Sequence, residues 1–191
     1  GAGGTAGINF VRSLRKAGDY YIVGTDMGKY NINLCDLDKT YIVPGCTHPD
    51  YSDIISDIIK KENIDFVHAQ PDIEVEHLVL NAHMFDATTF LPSSETINIC
   101  RNKLLTHKVL AEKGIKVPET HSCHQTNLEQ LFTELQKKHE KVWCRAVKGA
   151  GSKAALPITT YDQLNAWMRY WVENKRLEYS EFAISEFLPG V

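Results

Sequence analysis

Val142-Trp143-Cys144-Arg145-Ala146-Val147-Lys148-Gly149-Ala150-Gly151-Ser152-Lys153-Ala154-Ala155 runs from an apolar segment holding one cation into a basic loop with two glycines. The apolar part predicts a strand ending near Arg145, and Lys148 to Lys153 predict the loop that follows it. Glycine lets backbone N–H groups approach a ligand without a Cβ clash. Lysine and arginine supply the charge that a phosphate chain needs. The stretch therefore reads as a strand feeding a phosphate-covering loop, with an ordinary basic hairpin turn as the plain alternative. It is not the common nucleotide-triphosphate loop, because G-x-x-x-x-G-K-[ST] is absent.

Before this stretch, strands and helices alternate. Gly1-Ala2-Gly3-Gly4-Thr5-Ala6-Gly7 opens the sequence. Ile8, Val11, Leu14 and Ala17 then recur at helical spacing up to Gly18. Tyr20 to Asp26 predicts a buried strand ending in an acid. This order resembles a dinucleotide-binding fingerprint, with Asp26 meeting a ribose hydroxyl; close helix–strand packing is the plain alternative. A short strand at Thr40–Val43, a helix carrying Ile54, Ile55, Ile58 and Ile59, and a strand at Ile64–Ala69 follow. A helix with Val75, Leu78 and Val79 and a strand at Thr88–Leu91 complete the series. Such alternation predicts a Rossmann-like α/β domain with a parallel sheet over residues 1–94. Residues 95–118 predict connecting helices, broken near Arg101 and ended by Gly114. Residues 119–191 predict a small α+β unit with antiparallel pairing, incomplete at its C-terminus. Thr126-x-x-Glu129 and Thr160-x-x-Gln163 are capping-box patterns opening its two helices.

Bulk properties exclude several classes. The 191 residues carry 21 Lys and Arg against 24 Asp and Glu, and the basic residues are dispersed, so a nucleic-acid surface is not expected. No apolar run approaches membrane-spanning length. Five scattered cysteines without a C-x-x-C pair read as reduced thiols in a cytoplasmic protein. Opening on Gly1 without a preceding strand, and stopping at Val191 just after an apolar run, the chain reads as a piece of a longer protein. His121-Ser122-Cys123-His124 cannot close a zinc site from one extended tetrapeptide. Glu74 and Glu76 read as surface acids matching a helix dipole. Trp143, Trp167 and Trp171 read as core, and Cys144 as a small buried hydrophobe.

Three features line up in order: Asn102-Lys103 at the start of a helix, Arg145 with its glycine loop, and Ser185-Glu186-Phe187-Leu188-Pro189-Gly190. Together with Gly1–Gly7 and Asp26, this set resembles the ATP-grasp superfamily with its preceding Rossmann-like domain. Within it, the chain looks most like the large chain of carbamoyl phosphate synthetase. The resemblance implies an ATP-dependent ligase that forms an acyl phosphate from a small carboxylate and Mg-ATP, for attack by an amine or other nucleophile. It implies phosphate contacts from Lys103 and Arg145, and a mobile lid containing Lys148, Gly149, Gly151 and Ser152. It implies adenine contacts from Glu186, Phe187 and Leu188. In this family the first domain usually holds no nicotinamide; Gly3, Gly4 and His68 are then candidates for facing substrate. Catalytic residues and magnesium ligands are expected beyond Val191, so this chain alone is expected to be inactive. A homodimer is possible. Two departures stand out: Ala146 replaces the proline that often follows the strand cation, and Lys153-Ala154-Ala155 occupies positions where more glycines are common. Rival readings are an NAD(P)-binding oxidoreductase or epimerase using Gly1–Gly7 and Asp26, and a non-catalytic nucleotide-binding module.

Overall fold

The computed structural model describes residues 1–174 and 176–190. The chain divides into two compact units, Gly1–Ile97 and Asn98–Val191. The division falls inside a helix that the sequence assigns to the connecting segment.

In the first unit the glycine turn leads into α1 (Thr5–Ala17), whose last turn carries Arg15 and Lys16 against the C-terminal end of the helix dipole. β1 (Val23–Asp26) pairs in parallel with β2 (Lys39–Ile42). α2 (Tyr51–Glu62) buries Ile55, Ile58 and Ile59 and ends on Asn63 in the left-handed conformation. β3 (Phe66–Val67) pairs in parallel with β4 (Thr88–Thr89), and α3 (Asp72–Leu80) connects them. Parallel pairs joined by helices match the expected α/β class. The strands are shorter than the apolar runs suggest, and among the described residues they form two separate two-stranded sheets. α4 (Ser94–Arg101) follows.

The second unit begins with α5 (Lys103–Glu112) and then builds a four-stranded antiparallel sheet in the order β5-β8-β6-β7. The strands are β5 (Thr120–Ser122), β6 (Val142–Ala146), β7 (Leu156–Ile158) and β8 (Phe182–Glu186). α6 (Leu128–Gln136) and α7 (Tyr161–Glu173) contribute Leu131, Phe132, Leu135, Leu164 and Met168 to one core with Val142, Cys144, Phe182 and Ile184. Burying these side chains supplies the driving force for the unit. Thr160 caps α7, its side chain accepting from Gln163 N–H; Gln163 Oε1 in turn accepts from Thr159 N–H, one residue ahead of a true capping box. The pattern at Thr126 fails: Asn127 takes the cap position and Glu129 falls one place too early.

Candidate functional site

Facing residues of an antiparallel pair point to the same side of the sheet. Val142, Cys144 and Ala146 pair with Glu186, Ile184 and Phe182, and so share the core face. Trp143 and Arg145 pair with Ser185 and Ala183 on the opposite face, where β5 adds Thr120 and Ser122. Arg145 Nε is buried there without a hydrogen-bond partner. Burial lowers the pKa of this guanidinium, the sign of an incompletely solvated cation. A buried donor without an acceptor costs about 1–3 kcal/mol. Such a group in a native fold calls for a reason, and an anion is one.

The start of α5 contributes next. Asn102 caps the helix, its side chain accepting from Leu105 N–H at 3.1 Å. Lys103 Nζ donates to the Gly149 carbonyl at 2.8 Å and to the Val147 carbonyl at 3.3 Å. Its backbone N–H also donates to the Val147 carbonyl, at 3.1 Å. Lys103 thus binds the root of the glycine loop. One turn later, His107 Nδ1 lies 2.7 Å from Thr120 Oγ1. The Thr120 hydroxyl donates to the Pro118 carbonyl at 2.9 Å, so its oxygen accepts from His107 Nδ1–H. That assigns the tautomer and leaves an acceptor lone pair on Nε2. Burial first, and Arg145 second, hold the His107 pKa below its ordinary value. Sequence reasoning passed over His107, although its i, i+4 spacing from Lys103 puts both on one helix face.

The loop is tied at its base and open at its tip. Ala146 N–H donates to the Lys153 carbonyl at 3.3 Å and Ala155 N–H to the Ser152 carbonyl at 3.0 Å. Trp167 Nε1 donates to the Ala154 carbonyl at 3.0 Å, and Ala154 is buried. Lys148 and residues 150–153 are exposed. Gly149 and Gly151 have φ of 113° and 65°, which glycine adopts without strain. Ser152 and Ala154, at 58° and 52°, hold the left-handed region at a cost of about 1–2 kcal/mol each. Ala154 is thus an anchor at the base of the loop.

Glu186 ends β8 on the core face, away from Arg145. Its Oε1 lies 3.4 Å from His139 Nε2, and its Oε2 accepts from Glu119 N–H at 3.4 Å. Phe187 lies 6.3 Å from Trp143 by ring centroids, with Lys141 Nζ over its ring at 5.8 Å; Leu188 is exposed. Trp167 and Trp171 pack on the core as expected, whereas Trp143 stands on the other face beside Phe187. Cys144 is buried, and its contact with Cys123, together with burial, pushes the Cys123 thiol pKa up.

In the first unit, Asp26 Oδ2 accepts from Gly3 N–H at 2.8 Å and Oδ1 from Gly28 N–H at 2.7 Å. Both carboxylate oxygens therefore hold the glycine turn against the segment after β1, and Gly3 is buried in that joint. A Cβ on Gly3 would lie 2.4 Å from the Asn31 carbonyl carbon, and one on Gly7 2.4 Å from the Ala2 oxygen; at Gly4 the nearest atom is 3.4 Å away. Gly4 is exposed and Gly3 is not. His68 stacks on Phe10 at 4.1 Å and its Nε2 lies 2.6 Å from Gln70 Nε2; burial lowers its pKa. Glu74 is no surface acid: it is 12% exposed and accepts from the Tyr51 hydroxyl at 2.5 Å, because α3 turns it toward α2. Among the described residues no group of three or more His, Cys, Asp or Glu is placed to hold a metal ion, and no helix is long and apolar enough to cross a membrane.

Comparison with known proteins shows what each unit is similar to. Residues 2–91 match the family of PylC-like N-terminal domains. Fold comparison extends past this PylC-like segment into the second unit. The L-amino acid ligase of Bacillus licheniformis superposes with a TM-score of 0.68 at 14% identity, over 96% of this chain and 42% of that one. The biotin carboxylase domain of Hydrogenobacter thermophilus 2-oxoglutarate carboxylase, in complex with MgADP, ADP and bicarbonate, gives 0.65 at 12%, over 95% and 42%. N5-carboxyaminoimidazole ribonucleotide synthetase of Thermotoga maritima gives 0.60 at 20%, over 97% and 44%. The chain thus spans less than half of each. These are ATP-grasp ligases, and at their identities the likeness is one of fold. A comparison with curated proteins found no match by sequence.

Proposed function

We propose that the second unit is the ATP-covering lobe of an ATP-dependent carboxylate ligase, and that the PylC-like first unit faces its substrate. The observation that carries the proposal is the buried, partnerless Nε of Arg145 on the same sheet face as Thr120, beside His107. In this reading Arg145 donates to a phosphate oxygen, and Lys103 holds the root of the loop while adding its charge. Backbone N–H groups of Gly149, Gly151 and Ser152, with Lys148, close over the β- and γ-phosphates. Two fixed cations and a ring of donors stabilise a polyanion and the charge that moves during phosphoryl transfer. Trp143, Phe187 and Leu188 offer apolar surface to the purine, and the backbone of Glu186–Leu188 meets its polar edge. The Glu186 carboxylate, engaged with His139, is not needed for that contact.

Mg2+ would travel with the nucleotide. The described residues of this site offer it cations rather than carboxylates, so this lobe would contribute phosphate contacts and no metal ligand. Carboxylate–amine ligation of the carbamoyl phosphate synthetase kind is the finer reading that the motif order favours, in the cytoplasm and without nucleic-acid partners. The test is titration of the protein with ATP, alongside Arg145→Met. A loss of affinity of about tenfold or more in the variant supports the assignment. Equal affinity in both proteins, or none in either, removes it.

A further inference from the structure

α5 packs on β5 and carries His107 one turn after Lys103. The other neighbours of His107 along that helix face, Leu104, Leu110 and Ala111, bring no acid to the ring. On the sheet, Thr120 and Ser122 of β5 share a face with Arg145 of β6. The acids at that end of the sheet are engaged with other bases: Glu119 with His121 and Lys138, Glu186 with His139. The charged groups facing His107 are therefore Lys103 on its own helix and Arg145 on β6, with Lys148 exposed on the loop whose root Lys103 binds. Thr120 fixes the ring without fixing its charge. The Thr120 hydroxyl proton goes to the Pro118 carbonyl, so Nδ1–H donates to Oγ1 at 2.7 Å in the neutral and the protonated ring alike. Only Nε2 differs between the two forms: a lone pair in one, an N–H in the other. Nε2 has no hydrogen-bond partner among the described residues.

We propose that His107 is a third basic group of the phosphate site, whose Nε2 takes up a proton from solvent when the nucleotide binds and then donates to a phosphate oxygen. The proposal rests on the ATP reading of the Arg145 site. Before binding, burial and Arg145 keep the ring uncharged at neutral pH, because each disfavours a further cation. A neutral Nε2 is an acceptor and is repelled by phosphate oxygens. A polyanion reverses both effects: an opposite charge within about 4–6 Å favours the protonated ring by about 1–3 pKa units. Since the Thr120 contact is the same in either form, the proton is gained without turning the ring. Binding and protonation are then linked. ATP affinity rises as pH falls through the interval between the free and the bound pKa, and levels off below the free one. Lys103 and Arg145 stay charged throughout, so the pH dependence on the protein side belongs to His107.

The experiment titrates the 191-residue protein and His107→Asn with Mg-ATP by calorimetry, in buffers of different ionisation enthalpy. Asparagine offers an amide donor to Thr120 and has no ionisable ring. Comparing the two proteins cancels any proton carried by the nucleotide itself. Near neutral pH the parent is expected to take up roughly half a proton more than the variant, and between about pH 8 and pH 6.5 its affinity should rise about threefold or more relative to the variant. Ring-15N-labelled histidine gives a readout that needs no substitution: at saturating Mg-ATP the His107 Nε2 resonance should move from the lone-pair range to the protonated range, with Nδ1 nearly unmoved. ATP binding with equal proton uptake in both proteins, or an Nε2 that keeps its lone pair at saturation, overturns the proposal and leaves the Arg145 assignment standing. A pH-independent loss of affinity in His107→Asn also overturns it, since His107 would then be a support for β5. Absence of ATP binding in the parent removes the ATP reading and this inference with it.

Discussion

Arg145→Met separates stability from binding at one atom. The arginine keeps Nε buried without an acceptor. Methionine retains much of the apolar stem and removes the unsatisfied donor. The removed penalty is about 1–3 kcal/mol, from which lost packing and lost charge–dipole contacts subtract, leaving a change between zero and about 2 kcal/mol in favour of the variant. For a chain of this size that corresponds to a melting temperature unchanged or raised by up to about 8 °C. Binding should move the other way. A charge-assisted hydrogen bond to phosphate contributes about 1.5–3 kcal/mol, so ATP affinity should fall roughly 10- to 150-fold. The assays are thermal unfolding followed by circular dichroism and ATP titration followed by calorimetry. A variant that melts well below the parent while binding ATP equally would refute the reasoning, because Arg145 would then be a structural cation.

Gly3→Ala should destabilise the first unit by more than about 2 kcal/mol, since its Cβ meets backbone rather than a movable side chain; Gly4→Ala should be nearly neutral, and chemical denaturation distinguishes them. Asp26→Ala strips the acceptor from two backbone N–H groups and should cost about 2–5 kcal/mol while leaving ATP affinity unchanged; tight NADH binding lost in this variant would instead favour the dinucleotide reading. His107, its pKa held down by burial and Arg145, binds fewer protons folded than unfolded below about pH 6.5, so its contribution to stability is full above that pH and is lost as pH falls toward the folded pKa. A polyphosphate beside it should raise that pKa, and NMR titration of the ring with and without ATP checks the direction. Thr160→Ala should cost about 1 kcal/mol through loss of the α7 cap, measurable by denaturant unfolding.

Local signals carried much of this fold. The 3.6-residue spacing of Ile55, Ile58 and Ile59, and the hydroxyl of Thr160 ahead of Leu164, act within one turn and are visible without tertiary contacts. Strand lengths were not legible, because an apolar run such as Ile64–Ala69 forms ladder only where a partner lies beside it, and β4 offers two residues. The alternation of Phe182, Ile184 and Glu186 along β8 assigns Glu186 to the core face by a period-two signal that is visible in the sequence. Arg145 Nε could not be read at all. Its isolation depends on the β6–β8 register and on the packing of α5 against β5, both set by residues far apart in sequence.

Two-dimensional 15N NMR of the Arg145 Nε–H during ATP titration tests the phosphate assignment most directly. The account predicts a downfield shift of this resonance as it gains an acceptor, accompanied by shifts at the Gly149, Gly151 and Ser152 amides. An unmoved Arg145 resonance at saturating ATP, or shifts confined to Gly3, Gly4 and Gly28, would contradict it.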